Sequence, residues 1–438
     1  MAKKEPMKNT DKAICIIIFA LFFSVFAGKI DTFAQNAMDL GDCYKSALKQ
    51  SETIAISEET VVQAEEQLNQ AWASVSPKIL FRWQELWQDT SAVPAYASEF
   101  FKARQPQGSF KVRLSPLTFY KEFAALKSAM AFTQQRENEM MRAKQLLYLD
   151  VSQSFWAVIQ IENQIQITQS QRNSIKDRIR ELGDRVRIGR SREAEVVSVQ
   201  SQLAVVEADI EDLKRALAAA RDLLAFLTGE DREIPLTDTI SIPQAPMDLA
   251  VYLDSAMNRM DIKSLNDAVT TARAAVEVVR SGHFPSFSVE GNYYFERTGV
   301  QKDIDWDVLA AIEVPIFSWG QVKALVREAE SRLRAADLAL QRLQRQAKTE
   351  VRAALEALRA SLSELEIYEK AVSLAERNHS LQKRDYRLGL VSNLEVLQAL
   401  NNLYDARLRR DQVKYAAKIN AIRLQVAAGD MRINEVEP

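Results

Sequence analysis

The sequence predicts a mainly α-helical chain that contributes strands to a transmembrane β-barrel and is built from one unit used twice. Three observations lead there. Glycine and proline are scarce, with 12 Gly and 11 Pro in 438 residues, and they fall mostly at boundaries. The chain repeats itself: Arg185-Val186-Arg187-Ile188-Gly189 returns as Asp385-Tyr386-Arg387-Leu388-Gly389, and Glu195-Val196 as Glu395-Val396, both at an offset of 200. Four short stretches alternate apolar and polar residues with period two, the pattern of a strand with two unlike faces.

The repeat extends through the chain. Gly229 matches Gly429 at the same offset, Met38-Asp39-Leu40 matches Met247-Asp248-Leu249 at 209, and Pro77 matches Pro285 at 208. Small loop insertions account for the drift, and so long a period means a duplicated unit, not a solenoid of short repeats. The expected organisation is a signal peptide at 1–34, a first repeat at 35–229, a linker at 230–247, a second repeat at 248–430 and a tail at 431–438. Each repeat runs helix, two strands, long helix, tip, helix.

The first segment is an address. Lys3, Lys4, Lys8 and Lys12 precede an apolar run from Ala13 to Ala27, followed by Ala34. A charged start and a run of this length fit a cleaved leader, since a membrane span needs about 20 apolar residues. Cleavage after Ala27 and after Ala34 both fit. Loss of 1–34 removes five lysines and three acids, taking the net charge from −2 to −4. Cys43 is then the one remaining cysteine, which excludes an intrachain disulfide.

The helices follow. Between Pro116 and Gly183 lie 66 residues without Gly or Pro, and between Gly320 and Gly389 lie 68. At 1.5 Å per residue each reaches roughly 100 Å. Their apolar residues form narrow seams: Val151, Phe155, Val158, Ile161 and Ile165, then Ile175, Ile179, Leu182 and Val186, and in the second copy Leu358, Leu362, Leu365, Tyr368, Val372 and Ala375. Such seams pack helix on helix in coiled-coil fashion. Shorter helices are expected at 39–75, 191–228, 248–281 and 393–428, with tight turns at Gly183–Ser191 and Leu388–Ser392. Helical content of about 70% is roughly twice the usual globular share.

The strands are read from parity. Ile79, Phe81, Trp83, Glu85 and Trp87 alternate with Lys78, Leu80, Arg82 and Gln84. Phe110, Val112 and Leu114 alternate with Ser109, Lys111 and Arg113. Phe287, Val289, Gly291, Tyr293 and Phe295 alternate with Ser286, Ser288, Glu290 and Asn292, and Val308, Ala310 and Ile312 with Asp307, Leu309 and Ala311. Apolar-out, polar-in alternation is the mark of outer-membrane strands. Aromatics gather at the strand ends, with Trp83, Trp87, Tyr293, Tyr294 and Trp306 at one end and Phe119, Tyr120, Phe317 and Trp319 at the other, as belts at lipid interfaces do. The expectation is that Phe110, Val112, Leu114, Val308, Ala310 and Ile312 face lipid, while Lys111, Arg113 and Asp307 face water.

Four strands cannot close a barrel, and an open edge leaves backbone groups unpaired in lipid. Oligomerisation is therefore required, and three protomers supply 12 strands. Charge is balanced, 57 Lys+Arg against 59 Asp+Glu, which argues against a nucleic-acid partner. No catalytic or metal constellation is present: His283 and His379 stand apart with no second ligand at i+4, and no glycine-rich phosphate loop occurs. No enzyme and no cofactor are expected.

At this point residues carry a resemblance. Leu388-Gly389-Leu390-Val391-Ser392-Asn393-Leu394-Glu395-Val396-Leu397-Gln398-Ala399 resembles the second helical hairpin of TolC-type outer-membrane efflux proteins. Val314-Pro315-Ile316-Phe317-Ser318-Trp319-Gly320 resembles the exit from their last strand, and Pro77-Lys78-Ile79 and Pro285-Ser286-Phe287 the entries to their up-going strands. The resemblance covers about 38–430. It implies a homotrimer whose 12-stranded β-barrel, four strands per protomer, sits in the outer-membrane lipid of a Gram-negative-type (diderm) bacterium. A long α-helical barrel would continue it across the periplasm toward a periplasmic adaptor (membrane fusion) protein and an inner-membrane pump or ABC transporter. The implied function is a passive export duct in a tripartite efflux or type I secretion system. The alternative is a periplasmic coiled-coil adaptor or a structural rod. An adaptor carries glycine-rich lipoyl-like domains and a rod lacks the strands, and this chain fits neither.

The expected docking tips are Gly189, Arg190 and Ser191 in the first repeat and Gly389, Leu390, Val391 and Ser392 in the second. The arginines of the first tip depart from the apolar second. The expected pore gate is Glu395 with its repeat-mate Glu195, three inward Glu395 forming a ring of like charge that favours cations and raises pKa values. Gln398 resembles a position where relatives place a second acid, which leaves that ring single. Tyr386 and Arg387 are expected to bond Glu195 across the seam between repeats. The exported substrate is not legible in the sequence.

Overall fold

The structure, a computed structural model, describes residues 37–97, 100–242, 246 and 248–430. The expected leader at 1–34, part of the linker (243–245 and 247) and the tail at 431–438 lie outside the described residues.

The first repeat contains α1 (Leu40–Gln50), α2 (Glu52–Val75), β1 (Lys78–Trp87), β2 (Arg104–Leu117), α3 (Tyr120–Arg187) and α4 (Glu193–Thr228). The second contains α5 (Leu249–Ala256), α6 (Met260–Arg280), β3 (Ser286–Arg297), β4 (Trp306–Glu313), α7 (Gln321–Arg387) and α8 (Asn393–Ala428). The duplication is therefore complete at the level of elements. The two long helices hold 68 and 67 residues, so each spans roughly 100 Å. Among the described residues no helix is long and apolar enough to cross a membrane.

The strands form one antiparallel sheet in the order β1-β2-β3-β4. The helices feeding them keep that order, because α2 packs on α3, α3 on α6 and α6 on α7. Toward the other end the neighbours change to α4, α3, α8 and α7. The protomer is thus a slab with its helices side by side. A slab of this kind has no single centre, and its core is divided among helix contacts. One cluster joins α1 to α3, α4 and α8 around Tyr44, Phe155, Trp156 and Tyr415. A second joins α5 to α7 and α8 around Leu355 and Leu424. A third, near the hairpin ends, gathers Ile175, Leu182, Val199, Tyr386, Leu397 and Tyr404. The linker crosses the first cluster: Leu236 bridges to Met38, and Asp238 accepts a hydrogen bond from Lys418 Nζ at 2.5 Å.

Four expectations need correction. The turn expected at Gly183–Ser191 begins later, because α3 runs straight through Gly183 to Arg187. Glycine inside a helix costs only about 1 kcal/mol, and the buried Leu182 beside it holds the seam. The helix expected at 39–75 divides at Ser51, whose hydroxyl caps the new start by accepting the Ile54 N–H at 3.4 Å. Its counterpart at 248–281 divides at Met257–Arg259. Strand β2 also starts at Arg104, well before the expected 109.

Strand leads into long helix through a left-handed residue in both repeats, Phe119 (φ 60°) and Trp319 (φ 50°). Bulky residues rarely hold this conformation. Both rings are exposed at the base of the sheet.

Candidate functional site

The sheet has two chemically different faces. Paired positions in a sheet share a face, so the register can be read across all four strands. Ile79, Val112, Gly291 and Val308 form one row, and Phe81, Phe110, Tyr293 and Trp306 the next. Alternating with them, on the opposite face, run Lys78, Arg113, Glu290 and Leu309, and Leu80, Lys111, Asn292 and Asp307. The parity expected from sequence thus aligns across the sheet. The polar face is tied together: Glu290 pairs with Lys111 and, at 3.0 Å, with Arg113, while Asp307 accepts from Asn292 at 2.7 Å and lies 3.7 Å from Arg297.

The apolar face holds one device that alternation alone does not reveal. A bulge sets Tyr294 opposite Ser109 and Glu296 opposite Gly108. The freed Phe295 ring lies among Phe81, Trp83 and Phe110 at centroid distances of 5.7–6.2 Å. A Cβ on Gly108 would stand 2.3 Å from that ring. A side chain at 108 would have to push that ring aside.

Both edges of the sheet are open, and so are the edge helices beneath them. Large apolar side chains stand exposed on each: Ile56, Val62 and Trp72 on α2, Val197, Val205 and Phe226 on α4, and Leu338, Ile367 and Leu374 on α7. Strand β1 carries Lys78 and Arg82 on the polar face, whereas β4 carries Asp307 and Glu313 there. The two edges have opposite charge.

At the far end the two tips share a backbone. Gly189 has φ 71° and Gly389 φ 75°. The Arg190 N–H donates to the Arg185 carbonyl at 2.8 Å and the Leu390 N–H to the Asp385 carbonyl at 3.0 Å, the six-residue closure by which glycine ends a helix. Their side chains differ. Leu388, Leu390 and Leu394 stand 67%, 71% and 67% exposed on the second tip. The first presents Arg190 and Arg192 with Ile188. Helix α8 begins with a capping box, in which Ser392 donates its backbone N–H (2.6 Å) and hydroxyl (2.9 Å) to Glu395. Those bonds hold the Glu395 carboxyl below the usual range. Helix α4 starts at Arg192 without a side-chain cap, while Glu195 accepts from the Ser191 hydroxyl at 2.8 Å and lies 3.7 Å from Arg192.

The structure does not bring the expected gate residues together as the sequence suggested. Tyr386 is buried, with the Arg178 and Arg185 guanidiniums 3.8 Å and 4.5 Å from its ring centre, and Glu195 binds Ser191 instead. The expected Tyr386–Glu195 bond is not formed within the protomer. Within the protomer the capping bonds to Ser392 favour the charged form of Glu395, opposite in direction to the raised pKa expected of a ring of three. Glu395, Gln398 and Arg387 are all exposed.

Sequence reasoning missed the contact that holds the hairpins together. Arg178 is buried between α3 and α8, donating to Asn393 at 2.8 Å and pairing with Glu181 at 2.9 Å. Gln171 donates to Asn401, Ser174 meets Tyr404 at 2.9 Å and Asn163 donates to Tyr415 at 2.7 Å. The only sequence signal is a polar residue repeated where the seam of α3 should be apolar.

A two-faced sheet set in lipid, continued by helices roughly 100 Å long, defines a channel-forming subunit of the outer membrane. Residues 251–430 match the family model described as outer membrane efflux protein. The chain is 21% identical to the outer membrane protein TolC of Vibrio cholerae, over 72% of this chain and 74% of that protein. It is 22% identical to the alkaline protease secretion protein AprF of Pseudomonas aeruginosa, over 82% and 77%. Among solved structures, CusC superposes with a TM-score of 0.79 at 19% identity, covering 91% of this chain and 95% of that one. Residues 251–430, most of the second repeat, match that family, the rest of the chain is similar to outer-membrane channels, and the chain is an outer-membrane channel with a periplasmic extension.

Proposed function

We propose that three copies of the chain close into one tube that serves as the passive exit duct of a tripartite efflux or type I secretion assembly. The carrying observation is the pair of free edges on a two-faced sheet. In lipid such edges must be paired, and pairing β4 of one copy with β1 of the next leaves none. Antiparallel pairing brings Glu313 of one copy to the level of Lys78 of the next, on the water-facing side.

The repeat supplies a template for the helical part. Inside one copy α8 lies against α3, so α4 of one copy should lie against α7 of the next. Val426 of α8 is buried, whereas its repeat-mate Phe226 on α4 is 76% exposed and awaits that neighbour. The two repeats, 35–229 and 248–430 with the linker 230–247 between them in sequence, then alternate around a ring of six hairpins.

The tips form the docking surface for a periplasmic adaptor, which couples the duct to an inner-membrane pump or ABC transporter. Gly189, Arg190 and Ser191, and Gly389, Leu390, Val391 and Ser392, let a partner backbone approach closely. Glu395 and Gln398 line the narrowest part, with Glu195, Tyr386 and Arg387 setting the angle of the hairpins. The duct has no catalytic role.

The test is assembly and transport together. Outer-membrane fractions should yield a band of trimer mass in SDS that collapses to monomer on boiling. Deletion of the gene should abolish export through its pump, and the intact chain should restore it. Recovery of the chain as a monomer in the periplasmic fraction would overturn the reading.

A further inference from the structure

Two of the apolar clusters along the hairpins are separated by a polar gap. The lower cluster ends on α8 at Tyr404 and the upper one resumes at Tyr415. Buried residues of α8 recur every seven positions through this stretch: Leu397, Tyr404, Asp411 and Lys418. Lys418 is answered by Asp238 and by the Ile240 carbonyl. Asp411 is not answered in this way. It is 4% exposed, and its Oδ2 is buried with no hydrogen-bond partner among the described residues.

The surroundings offer little relief. The bonds Gln171–Asn401 and Asn163–Tyr415 bracket this height on α3, so Gln164 and Thr168 stand across from Asp411. The Thr168 hydroxyl is already donated to the Gln164 carbonyl of its own helix. On α7, Arg407–Glu376 and Asn420–Ser361 bracket the same height, which leaves Leu365, Tyr368 and Val372 there. The charges felt at Asp411 are Lys414 and Arg410 of α8 itself. One turn on, the Tyr415 hydroxyl also senses Asp238 and Glu162. Burial outweighs the two cations and pushes the Asp411 carboxyl up to about 6, from an ordinary value of 3.8.

We propose that Asp411 is a proton-operated latch on the seam between the two hairpins of a protomer. Neutral, its carboxylic acid is a donor as well as an acceptor and fits among Gln164, Thr168 and Tyr415. Ionised, it is a buried charge whose cost is relieved when α8 moves away from α3 and lets water in. Acid therefore tightens the seam and neutrality loosens it, at the level where the lower hairpins meet the middle of the tube. The latch goes beyond the duct reading and does not depend on it, because it concerns packing inside one protomer.

The sign follows from linkage. The packed seam takes up its proton as pH falls through about 6, whereas a solvated carboxyl waits until about 3.8. Between pH 7.5 and pH 5.0 the packed form should gain about tenfold over the loosened one.

Hydrogen exchange on the detergent-purified full-length protein reads this directly, after correction for the intrinsic pH dependence of exchange. Segments 161–171 and 405–418 should be about tenfold better protected at pH 5.0 than at 7.5. Segment 52–75, whose helix meets α3 near Thr133 and away from the latch, serves as the reference for a general acid effect. In Asp411→Asn the same segments should be well protected at both pH values. Should that variant not assemble, the wild-type segments measured against 52–75 still decide. Protection that is flat or falls in acid, or an Asp411→Asn protein that keeps the wild-type response, would overturn the latch.

Discussion

The sheet end and the hairpin end descend from the same duplication, yet the repeats have stayed alike at one and diverged at the other. In the sheet both copies place apolar residues outward and polar ones inward: Val112 stands in one row with Val308, and Lys111 in one row with Asp307. At the tips the glycine and its backbone closure are retained, whereas Arg190-Ser191-Arg192 faces Leu390-Val391-Ser392 at corresponding places. Lipid surrounds every strand alike and accepts one kind of surface. A protein partner can read each tip separately, so the tips are free to differ.

The largest effects should come where the repeats are alike. Val112→Arg and Ala310→Arg each place a charge on the apolar face near mid-strand, and each should cost about 2–4 kcal/mol. Heat-modifiable trimer yield should fall to a similar degree in both, while Arg113→Lys on the polar face leaves it unchanged. A loss confined to one repeat would break the equivalence of the two hairpins of the sheet.

Between the two ends lies the seam. Arg178→Ala removes a donor to Asn393 and the pairing with Glu181, and it uncovers one face of Tyr386. Charge-assisted bonds of this kind contribute about 1.5–3 kcal/mol each. Denaturant unfolding should show a loss of that order, with assembled trimer still recoverable.

At the tips, exchanging residues between repeats sharpens the contrast. Leu390→Arg should cut export about tenfold or more at constant trimer yield, whereas Arg190→Leu should change it less than threefold, tip contacts being unequal in the way interface hot spots are. Equal effects would mean that the partner does not distinguish the tips. Smaller still is the cap. Ser392→Ala should cost about 1 kcal/mol of stability, and Arg192→Ala almost nothing, since α4 has no side-chain cap to lose. The contribution of Glu395 is present above its unfolded pKa and is lost as pH falls through its lowered folded value.

Much of this was legible in the sequence because it is local. Period-two parity located the faces of the sheet, and glycines with a shared offset located both tips. What stayed hidden depends on distant partners. Nothing near Tyr386 announces that two arginines from another helix, some 200 residues earlier, will cover it. The same holds for Gly108, whose need for glycine comes from Phe295 on a different strand. The end of α3 departs from expectation for the opposite reason: Gly183 reads as a local breaker, while the seam carries the helix past it.

The most direct measurement is the ionic current through purified trimer in planar lipid bilayers. Each insertion should add one steady step of conductance, a single pore per three chains. Folded, membrane-inserted trimers that carry no current, or three independent steps per trimer, would contradict a tube closed jointly by the three copies.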